Sequence, residues 1–316
     1  MPKIAVVLCA GGDNGALQVG MLRSLLSRLC DPVRIWRGSS VGSINAAWMG
    51  QASATCPGLQ MPYARTLEHL WTEEIAGAHS IYKKPCWLSQ GIRIFLKGRA
   101  MLDPAPLKSL LRKKIDMHLL RTSGADVAVQ AVDLVTGELK DYHPDDLDWW
   151  AGFDGSWSIP LTFPAVCSPT FSEVLADSGV MSQSPLPSAV HAGADVVYVL
   201  ATHQLYREAG KLKVLHPYST PSVFYDYWAK ASEKDKAVRA LDLMIAEVLI
   251  GDIERTQFWT RAVCRDPAFA TKRPIELHIL SPRKMFPGTS LDFEPSIIRA
   301  QIEHGKEIGA DPTTWL

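Results

Sequence analysis

The stretch Arg34-Ile35-Trp36-Arg37-Gly38-Ser39-Ser40-Val41-Gly42-Ser43-Ile44 decides how this chain is read. A short apolar run from Arg34 to Arg37 leads into G-x-S-x-G, and a helical pattern from Ile44 to Met49 follows. The five-residue pattern is weak by itself, but a tight strand-to-helix turn lifts a central Ser hydroxyl out of the fold, and small neighbours permit that turn. A Gly/Ser-rich helix cap fits the same residues, so Ser40 as nucleophile and the segment as a cap stand side by side. Ser39 and Ser43 are read as turn and capping residues, with the helix beginning near Ser43.

Immediately upstream, Ala10-Gly11-Gly12-Asp13-Asn14-Gly15 lies between an apolar run, Ile4 to Cys9, and a helical pattern, Ala16 to Leu29. Glycines there let successive N–H groups face an anion at a helix N-terminus. That anion is a nucleotide phosphate or the oxyanion of a tetrahedral acyl intermediate. A nucleotide-binding module needs an acidic residue at the end of the second strand, whereas Arg34 to Gly38 ends in a base and a glycine, which counts against it. The two motifs fall on adjacent early βα units, so loop amides and the Ser40 hydroxyl can face one cavity, as acyl transfer requires.

Further apolar runs, Val127 to Val132, Val196 to Ala201 and Ile275 to Leu280, alternate with helical patterns and predict a layered α/β fold with a mainly parallel central sheet. Thr136 and Gly137 mark a turn into a short antiparallel strand. About Ala229 to Arg255 reads as a long packing helix, with Leu241, Ile245, Val248 and Ile253 on one side.

The 316 residues carry 33 Lys plus Arg and 33 Asp plus Glu, so no bias toward nucleic acid exists and none is expected as partner. Charge is nevertheless patterned. Residues 75–115 hold nine Lys or Arg against Asp103 alone, mixed with Trp87, Leu88 and Phe95, whereas residues 131–156 hold seven acids against Lys140. The basic stretch fits either an anionic lipid surface or an ordinary solvated face. Six cysteines without CxxC spacing read as reduced, mostly buried thiols in a cytoplasmic protein, and no zinc site is suggested. Lys3 and the run after it read as a buried strand rather than a signal peptide, and no run is long enough to span a bilayer.

Together the motifs resemble the patatin-like phospholipase family, whose pattern is a strand, a G-G-G-x-R/K-G loop, a helix, G-x-S-x-G and, much later, D-G-G/A. Here the last motif is Asp177-Ser178-Gly179, after an expected strand from Glu173 to Ala176. Weaker echoes are Leu102 to Leu107, Ile159 to Pro164, His191 to Asp195 and Leu291 to Phe293. The resemblance implies a single three-layer α/β/α domain over 1–316, with 75–115 as a candidate lid or membrane-facing segment. It implies a lipid acyl hydrolase of the phospholipase A or esterase type, with a lipid or phospholipid substrate and peripheral contact with membranes. Ser40 and Asp177 would form a catalytic dyad, Gly11, Gly12 and Asp13 an oxyanion hole, and Gly15, Gly38, Gly42 and Gly179 would support the motifs. No metal or cofactor is expected, and none of the nine histidines belongs to a motif. Asn14 stands where the family has Arg or Lys, Ala10 replaces the first glycine, and Ser178 replaces the second residue of the late motif. Because Ser40 and Asp177 are both kept, an active enzyme is expected rather than an inactive scaffold.

Overall fold

The computed structural model describes residues 1–75, 77–83, 100–214, 229–230, 232–265, 274–284, 286 and 291–316. Among the described residues ten strands follow one another: β1 (Ile4–Leu8), β2 (Val33–Ser39), β3 (Asp126–Asp133), β4 (Glu138–Tyr142), β5 (Val166–Ser168), β6 (Glu173–Asp177), β7 (Val196–Leu200), β8 (Leu205–Glu208), β9 (Lys211–Val214) and β10 (Glu276–Leu280). The main sheet runs β10-β7-β1-β2-β3-β6-β5, with β4 paired to β3, and β8 and β9 form a separate hairpin. From β10 to β3 every pair is parallel, whereas β4 and β6 both run antiparallel to β3. Asp133 shapes the β3–β4 turn by accepting from the Val135 N–H at 3.0 Å and the Thr136 hydroxyl at 2.9 Å, while Gly137 takes a φ of +73°.

Alternation along β1 explains the layers. Ile4, Val6 and Leu8 join one buried cluster with Leu17, Met21, Trp36, Ile44 and Ile302, while Ala5, Val7 and Cys9 join another with Leu186, Val197, Leu249 and Ile253. A strand that is apolar on both faces needs helices on both sides. On the first side lie α1 (Gly15–Leu26), α2 (Val41–Met49), α3 (Pro57–His69), α4 (Ala105–Lys114), α5 (Trp149–Ser156) and, near the C-terminus, Pro295–Ala310. On the second lie Leu186–His191 and the long helix Glu233–Arg265. No described helix is long and apolar enough to cross a membrane.

The parallel strands lie where the apolar runs predict them, but several helix limits differ. The first helix stops at Leu26, where the Ser27 hydroxyl donates to the Ser24 carbonyl at 2.7 Å. The helix after the elbow begins at Val41. Ser43 therefore lies inside its first turn, bonded to the Ser156 hydroxyl, and does not cap it. Ser39 ends a strand. The long helix continues to Arg265, ten residues past the expected end, because no proline intervenes before Pro267. The expectation of mostly buried thiols fails: of the described cysteines Cys9 alone is buried, and Cys30, Cys56, Cys167 and Cys264 are exposed. Cys30 and Cys56 lie in loops, Cys167 on the edge strand β5 and Cys264 near the end of the long helix, all positions that leave the thiol outside the core. The middle of the basic stretch, residues 84–99 with Trp87 and Phe95, lies outside the described residues. At its flanks Lys83 and Asp103 exchange backbone bonds of 2.9 and 3.2 Å.

Candidate active site

Close approach of backbone to backbone builds the elbow. A Cβ on Gly42 would fall 2.1 Å from the Leu8 carbonyl oxygen, and one on Gly38 would fall 2.5 Å from the Gly42 oxygen. The two glycines let the start of α2 sit directly on the end of β1. Between them Ser40 is forced to φ +53° and ψ −127°, a conformation that costs a non-glycine residue on the order of 1–3 kcal/mol.

Strand register then brings the second half of the site to the first. Ser39, the last residue of β2, pairs with Gln130, while Asp177, the last residue of β6, pairs with Ala131. Because β2 runs parallel and β6 antiparallel to β3, their C-terminal ends converge on two successive residues of β3. The Ser40 hydroxyl donates to Asp177 Oδ2 at 2.6 Å, and the Gly179 N–H donates to Oδ1 at 2.7 Å, so each carboxylate oxygen has a donor. Both side chains are buried. Burial pushes the Asp177 carboxyl up to about 6, against the opposing effect of these two bonds. That places its titration close to neutrality, where a general base is effective.

Beside the elbow, Leu8 pairs with Gly38, and the glycine loop leaves the end of β1 at that point. Gly11 has φ +158° and no room for a side chain, since a Cβ would lie 2.5 Å from Thr202. Gly12 has φ +58° and opens a 3-10 turn, Gly12–Asn14, that runs straight into α1. Ala10 tolerates the place of the family's first glycine because its φ is not positive. Its N–H donates to the Gln183 carbonyl at 3.0 Å, and its carbonyl accepts from the Thr202 hydroxyl. The N–H groups that head a helix have no acceptor within it, and here those of Gly12 and Asp13 hold that position.

The departures from the family pattern have partners. Asn14 Oδ1 accepts from Gln301 Nε2 at 2.9 Å, and the Ser178 hydroxyl pairs with that of Ser39 at 2.6 Å. The Asp13 carboxyl is pushed up to about 6, chiefly by burial and also by Asp292, against the contacts with Gln301 and the Phe293 and Asn14 N–H groups. Leu291 to Phe293 thereby meets the glycine loop, and Phe293, at φ +50°, stacks on Trp71 with ring centroids 6.4 Å apart.

A polar network behind the loop has no counterpart in the motif reading. Gln18 Nε2 donates to the Cys9 carbonyl at 2.7 Å and the Leu200 carbonyl at 3.2 Å. Asn45 Nδ2 donates to Gly15 O at 3.1 Å and Gln18 Oε1 at 3.0 Å, and Trp71 Nε1 donates to Asn45 Oδ1 at 2.9 Å. The signal was present, because Gln18 and Asn45 are lone amides within otherwise apolar helical runs. Among the described residues, no group of three or more His, Cys, Asp or Glu could hold a metal ion.

A family model described as patatin-like phospholipase matches residues 6–190, which contain the glycine loop, the elbow and the Asp177 motif. Among solved structures, the crystal structure of VipD from Legionella pneumophila aligns with 98% of this chain at 12% identity and a TM-score of 0.40. The alignment covers 66% of that chain, so this one spans just under two thirds of its length. No curated protein matches.

Proposed function

Since the chain belongs to the patatin-like phospholipase family, we propose that it hydrolyses carboxylic esters of lipids, most readily glycerophospholipids, through a Ser40–Asp177 dyad. The observation that carries this reading is the 2.6 Å bond from the Ser40 hydroxyl to Asp177 Oδ2 at the elbow. Ser40 Oγ attacks the ester carbonyl as its proton passes to Asp177, and the N–H groups of Gly11, Gly12 and Asp13 hold the oxyanion. Collapse breaks the bond to the alcohol, which leaves with the proton from Asp177. Water then gives a proton to the freed carboxylate and attacks the acyl-enzyme, releasing the fatty acid and restoring Ser40. The scheme uses no metal. Val180 and Met181, which follow the Asp177 motif directly in sequence, are exposed apolar side chains of the kind an acyl chain would meet.

Fluorophosphonate labelling followed by mapping of the modified peptide tests the assignment. Label is expected on the peptide carrying Ser40, and Ser40→Ala should abolish both labelling and ester hydrolysis. Label or hydrolysis persisting in that variant refutes it. The same assay addresses location at membranes. Changing Lys83, Lys84, Arg93, Lys97 and Arg99 to Gln should weaken hydrolysis of anionic vesicle lipid while leaving a soluble short-chain ester unaffected, since each base contributes about 1 kcal/mol near such a surface. Unchanged vesicle hydrolysis would assign these bases to a solvated face.

A further inference from the structure

The long helix Glu233–Arg265 lies wholly beyond the matched residues 6–190, yet it sends a buried carboxylate toward the loop that follows Asp177. Asp252 stands among Leu249, Ile250 and Ile253, an apolar face on which a charge is costly unless it is paired or hydrogen-bonded. Arg255, one turn along, reaches Asp252 Oδ1 at 2.9 Å from a largely exposed position. The other partners of Asp252 belong to one short loop: the Ser182 hydroxyl donates to Oδ2 at 3.1 Å, and the Gln183 and Ser184 N–H groups face the carboxylate and favour its charged form.

That loop touches every part of the site. The Ser39 hydroxyl, next to the nucleophile, pairs with Ser178 Oγ at 2.6 Å and reaches the Ser182 carbonyl at 3.3 Å. The Gln183 carbonyl takes the Ala10 N–H, at the entrance to the glycine loop, at 3.0 Å. Gln183 Nε2 donates to the Gly179 carbonyl, and the Gly179 N–H in turn holds Asp177 Oδ1. We propose that Asp252 is a positioning residue that anchors the loop from Ser178 to Ser184 and thereby keeps Asp177, the Ser40 elbow and the glycine loop in mutual register. It rests on the Ser40–Asp177 reading and adds a requirement for a residue outside the family motifs.

Asp252→Asn keeps the volume but offers one acceptor oxygen and an NH2 group where the Arg255 guanidinium, the Ser182 hydroxyl and two loop N–H groups converge, so the loop loses at least one tether. On a soluble short-chain ester, kcat per active site, counted by fluorophosphonate titration, should fall about 10- to 100-fold, the scale on which small misplacements act. KM should stay within twofold, because Asp252 does not meet substrate. Ser182→Ala should give a smaller loss of the same kind, and the double variant should be no worse than Asp252→Asn alone, since both remove one tether. A folded Asp252→Asn enzyme with kcat within twofold of wild type overturns the proposal, as does full additivity. Should Asp252→Asn fail to fold, Ser182→Ala decides: reduced kcat at constant KM supports the proposal, and unchanged kcat overturns it. Ser40→Ala assayed in parallel separates the two levels. Activity surviving there removes the dyad itself, whereas an inert Ser40→Ala beside an unimpaired Asp252→Asn removes only the anchor.

Discussion

The two halves of the candidate site are placed by different physics. Around Ser40 the determinant is the absence of atoms: Gly38 and Gly42 let backbones approach closer than any side chain permits, and the turn holds Ser40 at a positive φ. Around Asp177 it is the presence of polar atoms: Ser178 on Ser39, Gly179 on the carboxylate, Gln183 on Ala10 and Asp252 on the loop. Steric placement is rigid and insensitive to pH, whereas hydrogen-bonded placement within a buried, titrating cluster has a cost that depends on protonation. The comparison therefore predicts that the two halves fail in different ways.

The largest effect belongs to the steric half. Gly42→Ala puts a methyl 2.1 Å from the Leu8 carbonyl, which is part of the fully buried strand β1 and cannot turn aside. Destabilisation of about 3 kcal/mol or more is expected, at the upper end for an overpacked site, and would be measured by urea unfolding. A variant as stable as wild type would break the account of the elbow as a close-approach device.

Next comes the polar half, which should lose rate while keeping its fold. Asp177→Asn is nearly isosteric and retains an oxygen for one of the two donors, so the protein should still fold, while turnover of a soluble ester should fall at least about 100-fold, as general-base effects do. A smaller loss would mean that Ser40 finds its base elsewhere. In wild type the rate should rise with pH through about 6, because the ionised Asp177 carboxylate is the active form.

The same division explains what could be read from the sequence. Glycine spacing and apolar runs are local, so β1, β2, the elbow, the glycine loop and the parallel sheet are all legible from short stretches. The D-x-G motif marked Asp177, but the register that sets it against Ala131, next to the Gln130 that pairs with Ser39, is a long-range fact about β6. Asp252 carries no local mark whatever: it is one acid on a charged helix, distinguished solely by the loop it faces. Ser43 misled because Ser before a helical run normally caps it, and here the strained Ser40 turn starts the helix two residues earlier.

The smallest expected effect sharpens the contrast between pH-insensitive and pH-sensitive placement. In the folded protein the Asp177 carboxyl sits near 6 because burial disfavours its charge, and in the unfolded chain it returns to its ordinary value of 3.8. A pKa raised by folding means that the folded state binds the proton more tightly. The stabilisation is fully present below about pH 4 and is lost as pH rises through 6. Between pH 5 and 8 this one group should cost wild type about 1 kcal/mol of stability, by proton linkage. Asp13, also raised to about 6, acts with the same sign and is common to wild type and variants. Asp177→Asn should therefore lose less stability than wild type between pH 5 and 8, by that amount, in urea unfolding at both values. Ser40→Ala should keep the loss and move it to higher pH, because the hydroxyl that opposes the effect of burial is gone. Parallel pH profiles for wild type and Asp177→Asn would mean that the buried carboxylate is not a titrating element of the fold, and the physical distinction between the two halves would have to be redrawn.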